Sequence, residues 1–132
     1  MTMNHLEFLT AFEDHSLPPE QFDHIGHLRI AWIYLINNKL DEAIYKVTTG
    51  ISSYATSLGA TDKFQHTLTE AIVRIMAIRA NNKCEVTFPD FLTNNPDLVE
   101  NLPKVLNTYY SHDRLNSDLA KRTYLEPDRQ PF

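Results

Sequence analysis

Two histidines three residues apart, His24 and His27, are the first residues of this chain that could carry chemistry. On a helix, i, i+3 spacing places both imidazoles on one face, near enough to share one ion. An imidazole also titrates near neutral pH, so either ring could act as an acid or base with modest tuning. A metal site needs at least one more ligand, and the chain offers a second pair at i, i+4 spacing, His66 and Glu70. Facing helices of a bundle can bring two such pairs together. Without thiolate partners, the ion would be a divalent metal suited to nitrogen and oxygen ligands, such as Zn, Fe, Mn or Ni. Redox chemistry would require that metal, because no side chain here supplies it unaided. Two plainer readings stand beside this one. The histidines could line a metal-free polar pocket for a small molecule, or they could be structural rings satisfied by carbonyls and carboxylates.

Such a pocket would lie between the helices that carry the two pairs. Gln65, Thr69, Trp32 and Tyr34 are the further candidates for its walls. Aromatic residues at helical spacing are more often core, so Trp32 and Tyr34 carry a second, structural reading. Thr67 and Thr69 open their helix and read equally as cap chemistry, with Glu70 completing the cap. Helical phase weakens one partner. At about 100° per residue, His66 lies about 160° from the Phe64/Leu68/Ile75 stripe, on the side of Thr69, Glu70 and Val73.

The elements that must position these residues are helices. Leu6, Phe8, Leu9 and Phe12 predict a first helix near residues 3–14, ended by Ser16, Leu17 and the paired Pro18 and Pro19. A second helix is expected from Pro19 or Glu20 to Asn37. It is apolar around most of its circumference and therefore central, with His24 and His27 facing inward and Arg29 pointing elsewhere. Leu40, Ala43, Ile44, Val47, Ile51, Tyr54, Ala55 and Leu58 keep helical spacing throughout a third helix. Gly59 sits where a left-handed cap would end it, and Gly50 sits where a neighbouring helix could come close. A fourth helix carries Phe64, Leu68, Ala71, Ile72, Ile75 and Ile78 and ends over Ala80, Asn81, Asn82 and Lys83. Beyond it, Thr87-Phe88-Pro89-Asp90, Asn95-Pro96-Asp97 and Asn101-Leu102-Pro103 each combine a cap residue with a proline and read as starts of short helices. The expected fold is all-α: an antiparallel bundle of about four main helices with a C-terminal wrap of short ones. It forms one domain over residues 1–132, with a core over about 3–82 and short helices and tail over about 86–132.

Composition narrows the function classes. The formal net charge of -5 over 132 residues argues against a nucleic-acid partner, which would need a basic stripe. No apolar run approaches a membrane span, and the first residues lack a signal-like pattern. The single Cys84 suits a reducing cytoplasm and reads as an incidental thiol. No nucleophile elbow, P-loop, dinucleotide fingerprint, H-E-x-x-H or C-x-x-C is present, which leaves open whether the protein is an enzyme.

Three segments carry a resemblance. They are Phe22-Asp23-His24-Ile25-Gly26-His27-Leu28 leading to Ala31-Trp32-Ile33-Tyr34-Leu35; Lys63-Phe64-Gln65-His66-Thr67-Leu68-Thr69; and Tyr109-Tyr110-Ser111 through Leu115, Ser117, Ala120, Arg122 and Glu126-Pro127-Asp128. Together they make the chain resemble a family of small, mainly bacterial helical proteins of uncharacterised activity. That family favours an aromatic-His-x-Thr-x-Thr pattern in the second segment, whereas here Gln65 follows Phe64 and the histidine comes one place later. The resemblance implies that His24, His27 and the Phe64 to Thr69 turn belong to one site, and it supplies no reaction. The leading expectation is a cytoplasmic helical protein whose histidine pocket takes a small molecule or divalent metal. The competing one is a scaffold that forms homodimers through an apolar helix face, such as that of the third helix.

Overall fold

The computed structural model describes residues 3–80 and 87–132; the expected end of the fourth helix at 81–83 and Cys84 lie outside the described residues. Among the described residues the chain is all-α, with nine α-helices, two 3-10 turns and no strand. The helices gather into two compact units, Met1–Phe64 and Gln65–Phe132.

In the first unit, α1 (His5–Glu13) begins with a reciprocal cap. The Asn4 side chain accepts from the Glu7 N–H at 2.8 Å, and the Glu7 carboxylate accepts from the Asn4 N–H at 3.1 Å. Phe8, Ala11 and Phe12 are its buried face. The helix stops at His15, whose φ of 65° is left-handed, and the amides of Ser16 and Leu17 both donate to the Ala11 carbonyl. The expected second helix divides here. Pro19–Gln21 forms a single 3-10 turn, and α2 runs from His24 to Asn37. The break is caused by Asp23, an extended residue whose carboxylate accepts the Gly26 N–H at 2.8 Å and so sets the helix start there. From Leu28 to Tyr34, only Arg29 is not buried, as expected for the most apolar helix. Arg29 is tied to the start of α1: its guanidinium donates to the Met3 carbonyl at 2.8 Å and lies 4.3 Å from the centre of the Phe8 ring.

The helix α3 (Leu40–Ser57) buries Ala43, Ile44, Val47, Thr48, Ile51 and Tyr54 on one stripe. Gly59 follows with φ 72°, the left-handed cap that its sequence position announced. Two other glycines permit close approach. A Cβ on Gly50 would stand 2.8 Å from Cε2 of the buried Phe12, so α1 and α3 meet through its missing side chain. A Cβ on Gly26 would stand 2.5 Å from the Gln21 carbonyl oxygen, which lets the 3-10 turn fold back onto α2.

The second unit is built on α4 (His66–Ala80), followed by α5 (Phe88–Asn94), α6 (Pro96–Glu100), α7 (Leu102–Tyr109), α8 (His112–Leu115) and α9 (Asp118–Arg122). The three Pro-containing starts fall where the sequence put them: Thr87 caps α5 by accepting the Asp90 N–H, and Pro96 and Pro103 sit in the first turns of α6 and α7. Arg79 closes a bidentate pair on Asp97 at 2.6 and 2.8 Å, joining α4 to α6. The pair holds the Asp97 carboxyl below its ordinary range. The tail wraps this unit through its backbone. Thr67 Oγ1 donates to the Thr123 carbonyl at 2.6 Å and accepts the Leu125 N–H at 3.0 Å. Tyr110 donates to the Leu125 carbonyl and Arg114 to the Glu126 carbonyl, each at 2.7 Å. Asp128 accepts both the N–H and the hydroxyl of Ser111.

The burial of α4 departs from the expected stripe. Thr67, Glu70, Ala71, Val73, Ile75 and Met76 are buried, whereas Ile78 is half exposed. Apolar periodicity missed this because two polar members of the buried set are satisfied by specific partners, which removes most of their burial penalty.

Two substitutions test these constraints. Gly26→Ala forces a side chain against a backbone carbonyl and should cost about 2–3 kcal/mol in urea unfolding, more than the roughly 1 kcal/mol expected of Gly59→Ala in open space. Thr67→Val strands a carbonyl and an amide of the tail and should cost about 1–3 kcal/mol. Amide exchange at Leu125 should rise with it, and unchanged exchange there would count against the clamp.

Candidate functional site: the His27 cavity

His27 sits in the first turn of α2, half-buried. Its Nδ1 lies 2.8 Å from the Asp23 carbonyl oxygen. A carbonyl only accepts, so Nδ1 carries the hydrogen and donates, which fixes the tautomer. Nε2 is then the nitrogen that can accept a hydrogen bond or a proton. The ring plane is fixed as well, because Phe22 stacks on it with centroids 4.0 Å apart. Phe22 is in turn wedged against Phe12 and Tyr54, at 5.2 and 4.9 Å. Burial lowers the His27 pKa, the bond to Asp23 opposes that shift, and the neighbouring His24 adds to it.

His27 lines a cavity of about 240 Å³ in the first unit. Phe22, Ile51, Leu58 and Phe64 make its lining largely apolar, and Lys63 borders it. Tyr54 also borders it, but the Tyr54 hydroxyl is spent on the Leu17 carbonyl at 2.6 Å. The imidazole is thus a fixed polar group in a mostly apolar concavity, the usual composition of a small-molecule site.

The other expected residues are distributed over both units. His24, the first residue of α2, is exposed, contrary to the expectation that both imidazoles face inward. Helical phase puts it on the same side as His27, but as the first residue of α2 it lies at the exposed end of the helix. Trp32 and Tyr34 are buried core residues, with the Trp32 ring 5.3 Å from that of His5. The Tyr34 hydroxyl donates to Glu13 at 2.7 Å, and burial pushes its pKa up. Gln65, His66, Thr69 and Glu70 belong to the second unit. There Glu70 is buried, with Oε1 3.3 Å from His66 Nε2 and Oε2 accepting from Arg74 Nε at 3.0 Å. Arg74 also lies 4.9 Å from the centre of the Tyr124 ring. The i, i+4 pairing of His66 with Glu70 therefore forms, with Arg74 as a third member one turn on. Gln65 serves through its backbone, its carbonyl accepting the Thr69 N–H. Among the described residues, no three His, Cys, Asp or Glu side chains gather in a group that could hold a metal ion. Sequence reasoning missed Phe22 and Lys63 as neighbours of His27. The Pro18-Pro19 turn and Gly26, which together bring Phe22 back over the ring, were the available signal.

No family model matches this chain, and no curated protein or solved structure matches it either.

The lowered His27 pKa sets a pH dependence. The neutral ring is favoured in the fold, so His27 contributes stability that is present above about 6.5, the ordinary value, and lost as pH falls through the lowered one. Ring-proton NMR should place its midpoint below 6.5. His27→Leu should remove part of the acid-side loss of stability measured by urea unfolding. A midpoint at or above the ordinary value would overturn the assignment.

Proposed function

We propose that this chain is a cytoplasmic protein that binds a small molecule in the His27 cavity. The observation that carries this reading is the fixed tautomer: with Nδ1 spent on the Asp23 carbonyl, Nε2 is the polar group the ring can offer a ligand. The ligand would have a mainly apolar body to fill the space among Ile51, Leu58 and Phe64, and one hydrogen-bond donor for Nε2. A neutral imidazole held rigidly beside such a donor is also the arrangement of a general base, so proton abstraction from the ligand is the chemistry the site could add to binding. The small-molecule reading is preferred to the divalent-metal one because the described residues offer no third ligand group around the histidine pair. Among the described residues no helix is long and apolar enough to cross a membrane, which fits the cytoplasmic assignment. The scaffold reading would have to use what α3 leaves exposed, Leu40, Tyr45 and Leu58, since the middle of its apolar stripe is buried.

The test is an NMR screen of apolar fragments bearing a hydroxyl or N–H donor, followed by titration. Binders should shift Ile51, Leu58 and the His27 ring, and His27→Leu should weaken them about tenfold or more, the loss of one good hydrogen bond to a fixed acceptor. Fragments that bind equally well to His27→Leu, or that never perturb the cavity, would overturn the proposal.

A further inference from the structure

A second cavity of the first unit, about 360 Å³, differs from the first in being ringed by charge. Phe12 and Tyr34 border it, each almost wholly buried in the core. Glu13 and Lys46 supply a carboxylate and an ammonium, and His15 and Ser53 a polar pair. Both side chains are exposed, and no ion pair joins Glu13 to Lys46 among the described residues. Each is instead held by a neutral partner: Glu13 Oε2 accepts from the Tyr34 hydroxyl at 2.7 Å, and Lys46 donates to Asn38 Oδ1 at 2.8 Å. Asn38 is anchored in turn, its Nδ2 donating to the Tyr34 carbonyl at 2.9 Å. Tyr34 and Asn38 thus link the two charged side chains through hydrogen bonds. The same cavity holds an imidazole fixed at unusual cost. His15 takes a left-handed φ of 65° that a glycine would adopt without strain, and its Nε2 lies 2.9 Å from Ser53 Oγ.

We propose that this cavity binds a small zwitterion, an α-amino acid with an apolar side chain. Its ammonium meets Glu13, its carboxylate meets Lys46, and its side chain lies against Phe12 and Tyr34. The separated charges favour this class over a simple anion or cation, because either of those would meet one like charge in the same cavity. The His15–Ser53 pair adds a donor and an acceptor at the rim. This site is independent of the His27 cavity and does not rest on its function.

The test titrates the full chain with L-phenylalanine, N-acetyl-L-phenylalanine and L-phenylalanine amide, read by NMR shifts and calorimetry. The free amino acid should shift Glu13, Tyr34 and Lys46 and bind at least about tenfold more tightly than either blocked form. Glu13→Gln, which keeps an acceptor for Tyr34, should abolish the discrimination against the N-acetyl form. Lys46→Met should abolish that against the amide. Circular dichroism should show both variants folded. No saturable shift at the cavity, equal binding of the blocked forms, or unchanged discrimination in the two charge variants would overturn the proposal.

Discussion

Short helices leave much of their backbone unsatisfied at the ends, and this chain depends on side chains that accept those N–H groups. Asn4, Asp23, Thr87, Ser111 and Ser117 each cap a helix start. At Asp23 the constraint reaches furthest. Its carboxylate takes the Gly26 amide, and its carbonyl takes both the amide and the ring nitrogen of His27, at 2.9 and 2.8 Å. One residue thereby sets where α2 begins, which way the imidazole faces and which of its nitrogens remains. The cap and the candidate site are one piece of backbone geometry.

The two cavities of the first unit illustrate opposite ways of presenting polar groups. Around His27 the environment is apolar, and burial keeps the ring neutral. Around Glu13 and Lys46 the charges remain, and hydrogen bonds to Tyr34 and Asn38 link them. Tyr34 serves both core and cavity: its ring is buried while its hydroxyl and carbonyl brace the two charged side chains. The second unit treats charge differently again, surrounding the buried Glu70 with His66 and Arg74.

Much of the fold was legible because helical periodicity and caps are local. The third helix, its Gly59 cap, the Gly50 contact and the proline-marked starts of α5, α6 and α7 follow from spacing alone. The break before His24 was less legible, since Glu20 and Gln21 are good helix formers and only the competition from the Asp23 cap displaces them. The inner face of α4 stayed open in the sequence because Thr67 and Glu70 are polar, and their burial depends on Thr123, Leu125 and Arg74, which no period reveals. The candidate site was half visible. Residue type and phase selected His27, but they could not show that Phe22 returns to stack on it or that His24 stays at the surface.

The tail of the second unit has a consequence for how this sequence can change. Thr67, Tyr110 and Arg114 hold it through the carbonyls of Thr123, Leu125 and Glu126 and the amide of Leu125, and not through their side chains. These contacts specify a path and are indifferent to the residues that follow it. Related sequences can therefore drift freely at 123, 125 and 126 while the course of the chain stays put, provided the three anchors do not drift with them.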